Sequence, residues 1–266
     1  MSSPSDIPIA PSVGEKTAYA KLNTFQRLIG TLFSPSETFR DINAKPDLVL
    51  PLLLTLVIAV AGNFIILQRL KPDWEALTRR AIEQQLERQG KSLADLSEQE
   101  RNAVDMQTKY GSQFGKIFAY VGPALAPIFV VILALIFWGA VSIMGGITKF
   151  TKVLSITAYI TCMVGGLVQS VLSILVAFLR NPEDIDLLKG GIAVTNPGML
   201  MPKGASPVLV SLLTRLDIFS IWFLILMSIG LVAVSEKLKP GTAKVIVFAL
   251  WGIYVLVVVG FAALTN

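Results

Sequence analysis

The stretch Ile117–Leu179 constrains the fold of this chain more than any other feature. It consists of two long apolar runs, Ile117–Ile147 and Val153–Leu179, separated by the short turn Thr148–Lys152. The only charged residues of the stretch are two lysines in that turn. About 20 apolar residues are enough for a helix to cross the hydrocarbon core of a bilayer. The two runs therefore predict a pair of membrane-spanning helices that tilt, bend or project from the bilayer.

The distribution of charge extends this interpretation to the whole chain. All 23 basic and 18 acidic residues lie in loops or at the edges of apolar segments. Charged residues make up 15% of the sequence, compared with about 25% in an average soluble protein. These values predict an all-α, polytopic membrane bundle with five transmembrane helices. The predicted spans are about Leu48–Leu67, Ile117–Ile147, Val153–Leu179, Ile218–Val234 and Val245–Leu264.

The segment before the first span has two parts. Residues 1–20 are rich in Ser, Pro and small residues, and they are expected to form a disordered tail without the apolar core of a signal peptide. Residues 21–266 are expected to form one membrane domain. Within it, Lys21–Phe33 is typical of an amphipathic helix that either lies in the membrane interface or packs against the body of the protein. Its apolar face contains Phe25, Leu28, Ile29 and Leu32.

Capping motifs predict further helices outside the spans. Ser34-Pro35-Ser36-Glu37 combines a capping residue, a proline at the first helical position and an acid that can complete a capping box. Pro72-Asp73-Trp74-Glu75 and Ser97-Glu98-Gln99-Glu100 start the two arms of an external helical hairpin over residues 69–116, and the second arm is expected to end near Tyr110. The nine basic and eight acidic residues of this hairpin form either a solvated surface or a surface that docks a partner.

The most regular polar pattern of the chain lies in the third span. Polar and small residues recur there at intervals of four, three, four, three and four, which places them on one stripe of an ideal α-helix. They are Ser155, Tyr159, Cys162, Gly166, Gln169 and Ser173. Such a stripe is either a seam, where helices pack through small residues and hydrogen bonds, or the polar wall of a cavity or substrate path.

Two other spans add residues to this candidate seam or cavity. In the first span, Asn63 is expected to hydrogen-bond a neighbouring helix. In the fourth span, Asp217, Ser220 and Ser228 share one helical face. Asp217 is the acid closest to the bilayer, and we expect it to cap a helix or lie at the interface rather than transfer protons.

The composition excludes several classes of site. The chain has no histidine and one cysteine, so it cannot form an intramolecular disulfide, a His-containing metal site or a Ser-His or Cys-His nucleophile. It has no glycine-rich phosphate loop. Its net charge of +5 comes from scattered basic residues, which favours anionic lipid over nucleic acid as a partner. We therefore expect no catalysis, no cofactor, no metal and no nucleic acid.

Two functional hypotheses remain after these exclusions. The first is a non-catalytic integral membrane protein that organises lipids, other membrane proteins or further copies of itself. The alternative is a transporter or permease for a neutral or lipid-like substrate, because a charged substrate normally requires an ionisable residue inside a span and none lies centrally here.

The short connections between spans predict the orientation in the cell membrane. Lys149–Lys152 and Lys237–Lys244 are dense in positive charge, and in a five-span topology both lie on the side of the N-terminus. This favours a cytoplasmic N-terminus and an external C-terminus. The total count of basic residues favours the opposite orientation, with 10 on that side and 13 on the other. The short turns carry more weight because they directly adjoin the spans.

The order and lengths of these segments resemble the Yip domain family, five-span membrane proteins of the Ypt/Rab-interacting type, and most closely its bacterial members. The similarity extends over about Phe25–Leu264. The segments that carry it are residues 32–42 with Pro46 and Pro51, the two spans around Lys149, and residues 213–222 running on to Gly230.

The resemblance implies five helical spans, a cytoplasmic N-terminus and an external C-terminus. Eukaryotic members act in vesicle traffic and bind small GTPases of the Rab type through a long cytoplasmic N-terminal region. In this chain the N-terminal tail is short, and the Asp-Leu-Tyr-Gly-Pro motif of the eukaryotic members is absent. GTPase binding is therefore not carried over. For bacterial members the resemblance implies a fold and a location, and it assigns no established activity.

Overall fold

A computed structural model describes residues 21–189, 192–193, 195–202 and 205–264 of the chain. The predicted disordered tail, residues 1–20, lies outside the described residues. The described part is helical, and its α-helices are α1 (Thr24–Phe33), α2 (Pro35–Ala44), α3 (Val49–Leu70), α4 (Trp74–Arg88), α5 (Glu98–Val121), α6 (Ala126–Ile143), α7 (Phe150–Ile160), α8 (Gln169–Leu179), α9 (Pro207–Thr214), α10 (Ile218–Val234) and α11 (Pro240–Leu264).

Among the described residues, four helical runs are long and apolar enough to cross a membrane, in agreement with the predicted polytopic bundle. They are Val49–Leu70, Glu98–Ile143, Phe150–Leu179 and Pro240–Leu264. The pair Val208–Thr214 and Ile218–Val234 passes the same test jointly and is bent by 54°. The candidate spans in the described part of the chain thus number four, or five if the bent pair is one span. The bend coincides with a new helix start, because Asp217 accepts hydrogen bonds from the first backbone N–H groups of α10.

The two N-terminal helices pack against the spans. On α1, Leu28 is buried against the bundle, whereas the stripe of Phe25, Ile29 and Phe33 is exposed. The helix therefore packs against the body of the protein, and placement of its exposed stripe in the membrane interface stays a prediction. On α2, Phe39 and Ile42 are fully buried in the main core. Pro35 occupies the first turn as predicted, but the predicted Ser34 to Glu37 capping box is wrong, since the Ser34 side chain makes no capping hydrogen bond.

The predicted hairpin is present as α4 and α5, which pack along each other. Asp73 caps α4, and the predicted capping box of Ser97 and Glu100 is confirmed. The second arm does not end near Tyr110. It runs on through a 3-10 turn at Gly122–Leu125 into α6, giving one helical run of 46 residues. At 1.5 Å per residue this run is about 70 Å long, which exceeds the roughly 40–45 Å of a whole bilayer. One helical run thus continues from the charged hairpin into the apolar span.

The third span contains a feature that the sequence pattern did not predict. Between α7 and α8 the backbone forms an eight-residue π-helical segment, Thr161–Val168. Its i→i+5 hydrogen bonds place more residues in each turn than the 3.6 of an α-helix. Positions after the segment are consequently rotated away from the stripe expected for an ideal helix. The segment packs against α1, α3 and α10.

Several elements meet at one end of the bundle, which we call the N-terminal end. It contains α1, α2 and the turns at 144–149 and 235–239. A pair of backbone hydrogen bonds of 3.0 and 2.8 Å joins Ile147 to Glu236, and the Thr148 hydroxyl donates to the Val234 carbonyl. The two short basic turns are therefore held side by side at the end where α2 packs on α10.

Candidate functional site

A densely connected polar group lies where the N-terminal helices meet the third span. We call it the Arg27 cluster, and it comprises Arg27, Asp41, Asp47 and Tyr159. The Arg27 guanidinium, whose side chain is 3% exposed, contacts Asp41 Oδ2 at 2.8 Å and Asp47 Oδ1 at 2.6 Å. The Tyr159 hydroxyl lies 2.9 Å from each carboxylate oxygen of Asp47 and donates to that group. Together these contacts connect α1, α2 and α7.

The positions of the four side chains follow from the local structure. Arg27 lies on the face of α1 that also buries Leu28, while Asp41 lies near the end of α2. Asp47 lies in the connection between α2 and α3, and Tyr159 is fully buried near the end of α7. Arg27 also donates to the backbone carbonyls of Lys45 and Asp41, so several N–H groups of its guanidinium have acceptors besides the two carboxylates.

Sequence reasoning found only one of these four residues. Tyr159 belongs to the predicted stripe, whereas the pattern assigns no site role to Arg27, to Asp41 on the predicted helix after Ser34, or to Asp47 at the edge of the first span. The usable signal was the position of Arg27 next to the buried apolar face of an amphipathic helix. A charged side chain in such a position needs a partner, and the two acids follow within 20 residues.

Electrostatics favour the charged forms of Arg27 and Asp41. Burial disfavours the charged form of Asp41, but hydrogen bonds from the Lys21 backbone N–H and from Arg27 outweigh it and lower the pKa of Asp41 below its ordinary value. Burial likewise opposes the charge of Arg27, and its contacts with Asp41 and Asp47 outweigh that effect and raise the pKa of Arg27. The cluster is thus a set of opposite charges that stabilise one another.

The lowered pKa of Asp41 predicts acid sensitivity. The folded protein binds the Asp41 proton more weakly than the unfolded chain, so the stabilisation is complete above the ordinary value of 3.8 and is lost as pH falls through the folded pKa below it. We expect the melting temperature of the detergent-solubilised protein to fall more steeply between about pH 5 and pH 2 than that of Asp41→Asn. Glu98→Gln, which changes an exposed acid on the hairpin, should keep the slope of the unmodified protein. A slope unaltered by Asp41→Asn would contradict this assignment.

The structure divides the predicted stripe of the third span into two parts. Before and within the π segment, Ser155, Tyr159 and Cys162 are buried in the main core, with Cys162 only 1% exposed. After the segment, Gln169 is exposed and Ser173 is half-buried. The Ser155 hydroxyl has no hydrogen-bond partner in the described part of the chain. The six positions therefore do not share one environment.

The other candidate residues have local hydrogen-bond partners. The expectation for Asn63 is confirmed, because its Nδ2 donates to the Ala119 carbonyl of α5 at 2.8 Å. Capping by Asp217 is also confirmed: its carboxylate accepts from the backbone N–H groups of Phe219 and Ser220, and a second oxygen accepts from the Thr195 hydroxyl. Ser228 is buried, and its hydroxyl donates to the Leu224 carbonyl one turn earlier. The polar groups of Asn63, Asp217 and Ser228 thus have hydrogen-bond partners outside the third-span stripe.

Within the described residues, no three Cys, Asp or Glu side chains come together in a way that could hold a metal ion. In the Arg27 cluster, both carboxylates contact the guanidinium, and one also accepts from Tyr159. In this arrangement the Arg27 guanidinium and the two carboxylates neutralise one another's charge. Its structural effect is to fasten the two N-terminal helices to the third span.

Fold and site together define a polytopic α-helical membrane protein with N-terminal helices anchored by a buried ionic cluster. Comparison with known proteins then gives its family. The Yip1 domain matches residues 29–262, and the chain therefore belongs to the Yip1 domain family, which confirms the resemblance seen in the sequence. It is also 30% identical over 206 residues to the "Membrane protein YknW" of Bacillus subtilis (strain 168), covering 77% of this chain and 76% of that protein. No solved structure matches the chain.

Proposed function

We propose that this protein is a non-catalytic integral membrane protein that organises partner proteins or lipids in the cell membrane. The observation that carries the proposal is the burial of the polar residues in the middle of the third span. Ser155 and Tyr159 are completely buried, and Cys162 is nearly so, within the core formed by neighbouring helices. Polar side chains enclosed by neighbouring helices in this way favour a packed interior over a substrate path.

The transporter alternative requires polar residues of different spans around one cavity. Ser155 is buried in the core, Gln169 is exposed beyond the π segment, and Ser228 lies on a separate groove beside α10. These three placements give the alternative no support.

Two exposed surfaces suit an organising role. The apolar stripe on α1 lies at the N-terminal end of the bundle and can enter the lipid interface. The hairpin of α4 and α5 projects at the opposite end and presents charged residues to soluble or membrane partners. We propose lipids, other membrane proteins or a second copy of this chain as partners. Binding of a small GTPase is not part of the proposal.

The proposed orientation has the N-terminal end in the cytoplasm and the C-terminus outside. It is supported by the hydrogen bonds between Ile147 and Glu236, which gather the basic turns at one end together with α1 and α2. Short basic loops are retained on the cytoplasmic side during membrane insertion.

Thiol accessibility tests the proposed dry interior directly. Cys162 is the only cysteine, so the unmodified protein can be used. We expect a small membrane-impermeant thiol reagent to leave Cys162 unlabelled in open membrane fragments, where both faces are accessible, and to label it after denaturation. Rapid labelling in the native membrane would show that water reaches the middle of the span, and the proposal would then be abandoned for a transport or ligand-binding cavity.

Two single-cysteine reporters in a Cys162→Ser background provide the controls. Gln99→Cys lies on the exposed hairpin, and Gly241→Cys lies at the start of α11 in open space. Both should be labelled in membrane fragments, which shows that the reagent is active. In intact cells only Gln99→Cys should react if the N-terminal end is cytoplasmic. The reverse pattern would invert the proposed orientation without affecting the conclusion about the interior.

A further inference from the structure

A groove of about 610 Å³ lies at the N-terminal end of the bundle, between α2, α10 and α11. Its walls are mainly apolar and include Ile225, Ile229 and Phe248. Ile225 and Phe248 are themselves exposed on the outer surface of the bundle. A hydrocarbon chain of the surrounding bilayer therefore has direct access to the groove.

Positive charge borders the apolar walls on two sides. Arg40 of α2 and Lys244 of α11 line the groove, and Ser36 adds a hydroxyl on the preceding turn of α2. Both cations are exposed, and neither has an ion pair or a hydrogen bond among the described residues. The acid next to Arg40 in sequence, Asp41, is held by Arg27. No acidic residue lines the groove, so the two positive charges are not neutralised within it.

We propose that this groove binds an anionic phospholipid, with the phosphate between Arg40 and Lys244 and an acyl chain along α10 and α11. The inference rests on the proposed function and names the lipid class that the protein organises. An arginine fork can form two parallel hydrogen bonds to a phosphate, and a lysine ammonium adds a point charge. The Ser36 hydroxyl can donate a further hydrogen bond.

The shape of the groove favours a membrane lipid over a soluble anion. A free phosphate would engage the cations and leave the apolar walls around Ile229 and Phe248 uncovered. A lipid anchors its charged group at the membrane surface and places its chain deeper, which matches the order of charged and apolar residues here. The apolar volume accounts for affinity, whereas the two cations account for the preference for an anionic head group.

Binding can be measured on the full-length protein by native mass spectrometry in detergent. The probes are phosphatidylglycerol and phosphatidylcholine with identical acyl chains. We expect phosphatidylglycerol to bind more tightly, and Arg40→Gln/Lys244→Gln to weaken it roughly twentyfold, since each basic residue contributes about a fivefold factor at an anionic surface. Phosphatidylcholine binding should change less than twofold.

Two further variants separate the groove from its surroundings. Lys149→Gln/Lys152→Gln removes the same charge from the same end of the bundle outside the groove, and it should retain tight phosphatidylglycerol binding. Ala233→Leu fills part of the groove without removing charge, and it should weaken binding severalfold. The melting temperatures should stay close to that of the unmodified protein for both charge variants, because the altered side chains lie outside the core.

Three results would overturn the lipid site. Equal weakening by the two charge variants would show a general surface effect, and unaltered binding by Ala233→Leu would show that the acyl chain does not use the groove. Glycerol 3-phosphate binding as tightly as the lipid would show a site for a soluble anion. None of these results depends on Cys162, so its labelling still tests the proposed function independently.

Discussion

Arg27→Ala is expected to destabilise the protein by about 3–5 kcal/mol, the range observed when one partner of a buried ion pair is removed. The substitution leaves the carboxylates of Asp41 and Asp47 without their cation, and the Asp41 side chain is only 8% exposed. It also removes one of two side-chain links between α1 and the connection to α3, leaving the hydrogen bond from the Thr24 hydroxyl to Asp47. For a chain of this size the melting temperature should fall on the order of 10 °C, measured by size-exclusion chromatography after heating in detergent.

The matched controls distinguish this effect from the loss of any arginine. Arg79→Ala removes an exposed partner of Glu83, 3.5 Å away, and should cost less than about 1 kcal/mol. Arg27→Lys should give an intermediate loss, because one ammonium cannot reproduce the guanidinium contacts with both acids. Arg27→Met combined with Asp41→Asn and Asp47→Asn should be more stable than Arg27→Ala, since no buried charge is then left unpaired. Equal melting temperatures for Arg27→Ala and Arg79→Ala would refute the structural role assigned to the cluster.

Gly230→Val should produce the second large loss of stability, because Gly230 marks a close approach of three helices. A Cβ atom at this position of α10 would lie 2.9 Å from Ile156 Cδ1 of α7 and 3.5 Å from the Phe39 ring of α2. Overpacking of a core by added methyl groups costs about 1–3 kcal/mol. We expect a lower melting temperature and faster proteolytic cleavage after Arg40 or Lys45, because α2 would be displaced from α10.

Gly252→Val in α11 is the matched control for this substitution. The same side chain is introduced into a membrane helix, but nothing lies within 4 Å of the added Cβ atom. Its melting temperature and cleavage pattern should stay near those of the unmodified protein. Gly230→Ala should lie between the two, since the Ile156 methyl group can move by a few tenths of an ångström. A Gly230→Val protein as stable as the Gly252→Val protein would mean that α2 does not pack on α10 as closely as the structure shows.

The segments that the sequence predicted well are those specified by local chemistry. A segment in the hydrocarbon core must satisfy its own backbone hydrogen bonds as a helix, and it needs about 20 apolar residues to cross that core. The length of each apolar run can be read from the sequence without knowing which helices pack beside it. The capping box of Ser97 and Glu100, the cap formed by Asp217 and the hydrogen bond of Asn63 were likewise deduced from residue type and position. The two caps are contained within one or two turns of chain, whereas for Asn63 the sequence indicated the need for a partner and not its identity.

The prediction was wrong where a helix continues past its expected end and where the backbone hydrogen-bonding pattern changes within a helix. The second arm of the hairpin was expected to end near Tyr110, but Gly122 and Pro123 only tighten a turn within a continuing helix. The stripe from Ser155 to Ser173 assumed 3.6 residues per turn throughout. The π segment changes that number in the middle of the span, and it consequently separates Gln169 from the buried residues before it.

The sequence by itself determined the membrane location, the helical class and the approximate position of the apolar spans, because the bilayer imposes these on each segment separately. Only the tertiary structure decided that Arg27 meets Asp47 across 20 residues and that Asp47 meets Tyr159 across 112. It also decided which half of the polar stripe is buried and that Arg40 and Lys244 border one groove. These are contacts between distant segments, and the packing of the whole bundle selects them among many pairings that local chemistry allows equally.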